Sequence, residues 1–153
     1  MEKDEKFMQE ALNEAIKAYE LKEIPIGAVI VRNGEVIGRG HNLKETLKDA
    51  TLHAEISAIK HACNNLKGWR LPDCTMYVTL EPCSMCAGAL VNARVEKLVI
   101  GTRDLKTGAC GSVLNIVQMN KLNHQVDVVF GVMEEECSTL LSDFFKELRK
   151  SKK

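Results

Sequence analysis

The sequence predicts an α/β protein, a five-stranded mixed sheet with helices on both faces in three α/β/α layers. Three observations carry that expectation. Short β-branched runs alternate along the chain with segments of helical periodicity. Asn33-Gly34 separates two of those runs by two residues, the spacing of a tight antiparallel hairpin. The connector Thr102–Gln125, ahead of the last run, is 24 residues long, enough for a crossover between parallel strands.

The elements follow in order. Across residues 4–22, Phe7, Met8, Ala11, Leu12, Ala15, Ile16 and Tyr19 recur at helical spacing, with Glu and Lys on the opposite face. Ile26–Arg32 and Glu35–Gly40 read as strands, and Asn33-Gly34 tolerates the positive φ that a type I′ turn requires. His41–Asp49 reads as a loop. Thr51 is placed to cap a helix running to about Asn65, with Ile56, Ile59 and Ala62 facing inward. Thr75–Leu80 is a buried strand. Glu81-Pro82 then turns the chain into a helix, because Pro is preorganised for a first helical turn. Lys97–Gly101 and Val126–Val132 are further strands, with a crossover helix expected near Val113–Gln118. Met133–Lys150 closes the chain as an amphipathic helix carrying Leu140, Leu141, Phe144, Phe145 and Leu148. No linker or repeat interrupts the pattern, so a single domain over residues 1–153 is expected, ending in a basic segment at 146–153.

The 153 residues suffice to bury roughly 70% of the surface that the unfolded chain exposes. A hydrophobic share of 45% with 27% charged residues excludes a disordered or fibrous polymer. Lys plus Arg and Asp plus Glu both number 21, which excludes a uniformly basic nucleic-acid coat but not a local patch. The balance is uneven along the chain. Residues 1–23 hold seven acids against four lysines, and residues 146–153 hold five bases against one acid. Six charges in the first ten residues argue against a secretory signal, and no run approaches the length of a membrane span. A cytoplasmic protein with reduced thiols and no membrane partner is expected.

In that compartment a Cys-x-x-Cys pair points to metal binding or redox chemistry rather than a structural bridge. Cys83 and Cys86 lie three apart after Pro82, so on a helix both sulfurs share one face. A helix N-terminus favours their thiolate forms. Two thiolates with the His53 imidazole select zinc over magnesium or calcium. Three ligands are the count of an open catalytic site; a closed structural site needs a fourth, for which Cys74 and His61 are nearest in sequence. Thirty residues between His53 and Cys83 exceed the usual separation in zinc fingers, and a thioredoxin-like redox pair carries no upstream His-x-Glu. Glu55, two residues past His53, is poorly placed as a second ligand on a helix but can reach the open side of a metal as general base.

With His53-Ala54-Glu55 and Pro82-Cys83-Ser84-Met85-Cys86 in hand, the chain resembles the zinc-dependent nucleobase deaminases of the cytidine/deoxycytidylate deaminase superfamily, most closely the bacterial branch acting on tRNA adenosine. The likeness extends through Pro25-Ile26-Gly27-Ala28-Val29, Asn42, Trp69-Arg70-Leu71, Tyr77–Gly88, Asp104, Lys106-Thr107-Gly108, Gly111-Ser112, Asn123-His124 and Ser142-Asp143-Phe144-Phe145. The resemblance implies a cytidine-deaminase-like fold and one zinc per subunit on His53, Cys83 and Cys86, with Glu55 shuttling the proton. It implies hydrolysis of adenosine to inosine at the wobble position of a tRNA anticodon loop, by a homodimer. Ile26, Asn42, Ala54, Asp104, Phe145 and Arg149 would contact the substrate, Asn42 by a hydrogen bond to the flipped base and Ala54 through its backbone. One departure stands out: Asp49-Ala50-Thr51-Leu52 precedes His53 where the family reads Asp-Pro-Thr-Ala. An Ala-Thr-Leu-His run also occurs in free-base cytosine deaminases, so a free guanine, cytosine or nucleoside deaminase is the alternative. A zinc-stabilised interaction module without activity is a third.

Other candidates have plainer readings. The basic tail of Lys146, Arg149, Lys150, Lys152 and Lys153 is either a solvated helix end or a phosphate contact. Phe144 and Phe145 cannot share a helix face, so one packs inward while the other is free to stack on a splayed base. Trp69 is expected in the core, and Asn42 is an ordinary turn asparagine apart from the resemblance. His41, His61 and His124 are expected to be structural or at the surface. Cys63, Cys74, Cys110 and Cys137 form no second site and read as packing residues. Lys106-Thr107-Gly108 is too short for a phosphate-binding loop.

Overall fold

The structure is a computed structural model describing residues 2–152, so Lys153 of the basic tail lies outside the described residues. The chain runs α1 (Glu2–Glu20), β1 (Gly27–Arg32), β2 (Glu35–His41), α2 (Ala54–Leu66), β3 (Cys74–Leu80), α3 (Ser84–Ala93), β4 (Lys97–Thr102), β5 (Asp127–Phe130) and α4 (Glu134–Ser151). The five strands form one mixed sheet in the order β2-β1-β3-β4-β5. β1 pairs antiparallel with β2 and β3, whereas β3, β4 and β5 run parallel. The expected hairpin is present, with Asn33 and Gly34 at φ of 51° and 78°.

Strand alternation divides the core between the two faces. Ala28, Ile30, Met76, Val78, Leu98 and Ile100 point toward α2 and α3, where Ala58, Ala62, Ala87 and Leu90 meet them. Val29, Val31, Tyr77 and Val99 point the other way, toward Phe7, Met8, Ala11 and Leu12 of α1 and Cys137 of α4. Each of these larger buried side chains contributes about 1.5–3 kcal/mol relative to exposure. The three-layer expectation therefore holds. Among the described residues no helix is long and apolar enough to cross a membrane.

Five local expectations do not hold. Thr51 does not cap α2, because its amide and hydroxyl both bond to Oδ1 of Asp49 at 2.9 and 2.6 Å. His53 is the N-cap instead. The inward face of α2 is the stripe Ala54, Ala58 and Ala62, with Ile56 and Ile59 only half-buried. The stripe is small because α2 rides close on β2: a Cβ at Gly40 would lie 2.3 Å from the Ala54 carbonyl oxygen. Pro82 lies outside α3 rather than in its first turn, since Cys83 is the cap.

The expected crossover helix at 113–118 is also absent; residues 103–126 form turns and one isolated bridge, Cys110 to Asn115. Their amides are claimed by other partners: Val113 N–H bonds to Gly108 O, Ile116 to Ala109 O, and Val126 to Val117 O. Among the described residues four helices, not five, therefore cover the sheet. Trp69, expected in the core, is 57% exposed, with the Arg70 and Arg94 guanidinium groups stacked 4.5 and 5.7 Å from its ring centre. Those two cations supply on the surface what burial would have supplied inside.

Candidate active site

Two helix starts and two strand ends meet at one edge of the sheet. β3 delivers Leu80-Glu81-Pro82-Cys83 and its parallel neighbour β4 delivers Thr102-Arg103-Asp104, so the site lies beyond the carboxyl ends of parallel strands. α2 and α3 begin there, with His53 and Cys83 at their N-caps, both extended, at φ of −76° and −74°. A cap residue is ordinarily Ser, Thr, Asp or Asn, whose side chain turns back onto the helix amides. The His53 side chain makes no such bond and faces Cys83 and Cys86 instead.

His53 Nδ1 lies 3.5 Å from Cys83 Sγ and 3.6 Å from Cys86 Sγ. The three ligand atoms fall within 4.8 Å of one another. A tetrahedral ion bonded at the roughly 2.0–2.1 Å and 2.3 Å usual for zinc with nitrogen and sulfur holds N and S about 3.5–3.6 Å apart. The donor triangle therefore has the size that such an ion needs. Neither candidate fourth ligand joins it. The Cys74 thiol, buried, donates to Pro72 O, and His61 Nδ1 accepts the Arg39 amide at 3.0 Å. The group is thus a three-donor corner with an open side.

The electrostatics suit a cation. The Cys86 thiol hydrogen-bonds Cys83 and, despite burial, helps hold the Cys83 thiol down to about 5; the Cys86 and Met85 amides and His53 act in the same direction. The same bond pushes Cys86 up, so the pair keeps one proton that a metal would displace. Glu55, in the first turn of α2, is buried, and that burial pushes its carboxyl up to about 7. Beyond the triangle opens a cleft of about 530 Å³, lined by His53, Glu55 and Cys83 on its floor.

The chain belongs to the MafB19-like deaminase family, whose pattern it matches over residues 2–149. The tRNA-specific adenosine deaminase of Bacillus subtilis (strain 168) is 56% identical to it over 153 residues, covering 100% of this chain and 95% of that protein. The tRNA-specific adenosine deaminase of Aquifex aeolicus (strain VF5) is 50% identical over 145 residues, 95% of each chain. A solved structure from a study of A-to-I editing by tRNA:A34 deaminases at the wobble position of transfer RNA is 45% identical, with a TM-score of 0.84 over 88% of this chain and 97% of that one.

Of the residues that the deaminase resemblance named as substrate contacts, Ile26, Asn42, Asp104 and Phe145 line the same cleft as His53 and Glu55. Asn42 makes the bonds of a turn asparagine, its Oδ1 accepting the Lys44 amide at 3.2 Å, and still faces the cleft. Ala54 is fully buried under its own helix start. Arg149 is exposed and lines neither this cleft nor its neighbour. It stands one turn beyond Phe145 on the same side of α4. Phe144 packs inward against Tyr19, ring centres 5.6 Å apart, while Phe145 is 37% exposed at the cleft.

From the connector, sequence reasoning named only Asp104 as a site residue and missed the rest of its part. Arg103, Leu105, Lys106 and Thr107 line the cleft together with Asn42 and Lys44. Glu81, treated there as a turn residue, is buried at the base of that wall. A signal was available: a glutamate closing an otherwise apolar strand has to find partners.

Proposed function

We propose that the chain catalyses hydrolytic deamination of adenosine to inosine at the wobble position of a tRNA anticodon loop, with one zinc ion per subunit. The observation that carries this is the His53–Cys83–Cys86 triangle with buried Glu55 on the floor of one cleft. The names of the B. subtilis and A. aeolicus relatives, at 56% and 50% identity, support adenosine in tRNA as the substrate.

Three sites on His53, Cys83 and Cys86 would hold the metal, leaving one position open toward the cleft. When bound, zinc supplies Lewis acidity that makes water nucleophilic near neutral pH. Glu55 carries one proton of the attacking water to N1 of the base and the second to the departing amino group. Water adds at C6 and ammonia leaves, so adenosine and water give inosine and ammonia. Asn42 and the Ala54 backbone orient the base, Ile26 and Asp104 border it, and Phe145 stacks on an unpaired neighbour. Arg149 and the basic segment at 146–153 meet phosphates farther along the RNA.

The catalytic domain spans residues 1–153 in this reading, and the active form is a homodimer. Val113, Leu114 and Met119 expose large apolar side chains on the connector, a surface that a second copy would cover. All six cysteines are free, which accords with a cytoplasmic location.

The test offers purified protein an anticodon stem-loop with adenosine at the wobble position, beside free adenosine, cytosine and guanine. Inosine should form in the stem-loop, with affinity falling as salt rises. Turnover of a free base, with none of the stem-loop, would overturn the assignment.

A further inference from the structure

One buried side chain ties both ends of the connector wall to β3, while Asp104 holds the Lys106 and Thr107 amides between them. Glu81 is 2% exposed, at the end of β3, two residues before Cys83. Its Oε1 accepts the Asp104 amide at 3.1 Å and the Ser112 hydroxyl; its Oε2 accepts the amides of Cys110 and Ser112, each at 3.0 Å. Four donors from three residues of one loop thus converge on a single carboxylate. The fit is close: a Cβ at Gly108 would lie 2.4 Å from both the Asp104 carbonyl oxygen and Glu81 Cδ. With the ends of the segment tied down, Leu105, Lys106 and Thr107 stand exposed along the cleft.

We propose that Glu81 is a positioning residue for the RNA strand, acting through the 104–112 loop rather than on the reacting atoms. The proposal rests on the tRNA-deaminase reading for its substrate. The exposed wall pairs the Lys106 ammonium with the apolar Leu105, a combination suited to a phosphate and the face of the attached nucleotide. Glu81 itself presents no free acceptor to a ligand, because both oxygens are filled by the loop. Its loss should therefore weaken RNA binding while leaving the chemistry at His53 and Glu55 intact.

Glu81→Gln is the discriminating variant. Whichever way the new amide turns, its NH2 faces an N–H that it cannot accept, so at least one bond to the loop is lost. Expected are a KM for the wobble-adenosine stem-loop at least 10-fold higher, a single-turnover rate at saturating RNA within 3-fold of wild type, and unchanged zinc content. Glu81→Asp, which keeps both acceptor oxygens, should recover part of the affinity. Ser112→Ala and Gly108→Ala disturb the same loop without altering the carboxylate, and should raise KM in the same direction if Glu81→Gln fails to fold. Hydrogen exchange at the amides of Asp104, Cys110 and Ser112 should accelerate in Glu81→Gln while those of α2 and α3 stay protected. A fall in the saturating rate with KM unchanged, or protection unchanged at those three amides, would overturn the proposal. If wild type turned over only a free base, the substrate reading would fail, and the exchange result would still decide whether Glu81 organises the wall.

Discussion

The two sides of the cleft are built differently. On one side, two helix N-caps place His53 and Cys83 next to Cys86, and the helices rest on a sheet whose residues are almost wholly buried. On the other, residues 103–112 form no helix or strand and are gathered by hydrogen bonds to two carboxylates, Glu81 ahead of the loop and Asp104 within it. The first side fixes atoms that must meet within fractions of an ångström; the second presents exposed side chains to a larger ligand. Rigid elements suit chemistry, and a loop held at a few points suits recognition. Variants on the two sides should accordingly separate into those that change rate and those that change affinity.

The largest effect belongs to the corner. Glu55→Gln should retain zinc and lose on the order of 10²–10⁴-fold in kcat, the usual worth of a positioned general base. Inosine formation with metal analysis of the same sample checks it, and an active variant would reassign the base. Removal of zinc by a chelator should abolish turnover, and re-addition should restore it.

Packing beneath the corner comes next. Gly40→Ala puts a methyl against the Ala54 carbonyl, and thermal unfolding should show a loss of about 1–3 kcal/mol. Because α2 carries both His53 and Glu55, kcat should fall with it, whereas a change in KM alone would blur the division between the two sides.

The corner was legible in the sequence because metal ligands and a general base announce themselves by residue type and spacing. His53, Glu55, Cys83 and Cys86 converge as that spacing implies. The sheet was legible too, because period-two runs and Asn33-Gly34 encode strands and a hairpin locally. The connector was not. An apolar stretch such as Val113–Gln118 fits a helix as well as an irregular loop, and what decides is the set of carbonyls at Gly108 and Ala109 that take the Val113 and Ile116 amides, partners that local pattern does not display. Trp69 failed for a related reason: its cations, Arg70 and Arg94, come from one neighbour in sequence and one distant residue.

A smaller effect sits behind β2, away from both sides of the cleft. Burial would raise the Glu14 carboxyl, but hydrogen bonds with His41 and Lys17 prevail and hold it from 4.5 down to about 2. A carboxylate whose pKa is depressed by folding stabilises the fold above its unfolded value, and that contribution fades as pH falls from about 4.5 toward 2. Glu14→Gln should therefore cost on the order of 2 kcal/mol at neutral pH and progressively less in acid, read from unfolding midpoints across that range. A constant difference at every pH would remove the ionic contribution from the account.

The smallest effect is expected at the edge of the RNA footprint. Arg149→Ala should weaken stem-loop binding only a few-fold and reduce its salt slope by about one unit, with kcat unchanged. An undiminished slope would return Arg149 to the solvated end of α4.

The division between chemistry and recognition is tested most directly by single-turnover rates against RNA concentration, for wild type, Glu55→Gln and Glu81→Gln on one wobble-adenosine stem-loop. Glu55→Gln should lower the plateau and leave the half-saturating concentration unchanged, and Glu81→Gln should do the reverse. Both variants lowering the plateau alike would contradict the account, because the two sides of the cleft would then act as one.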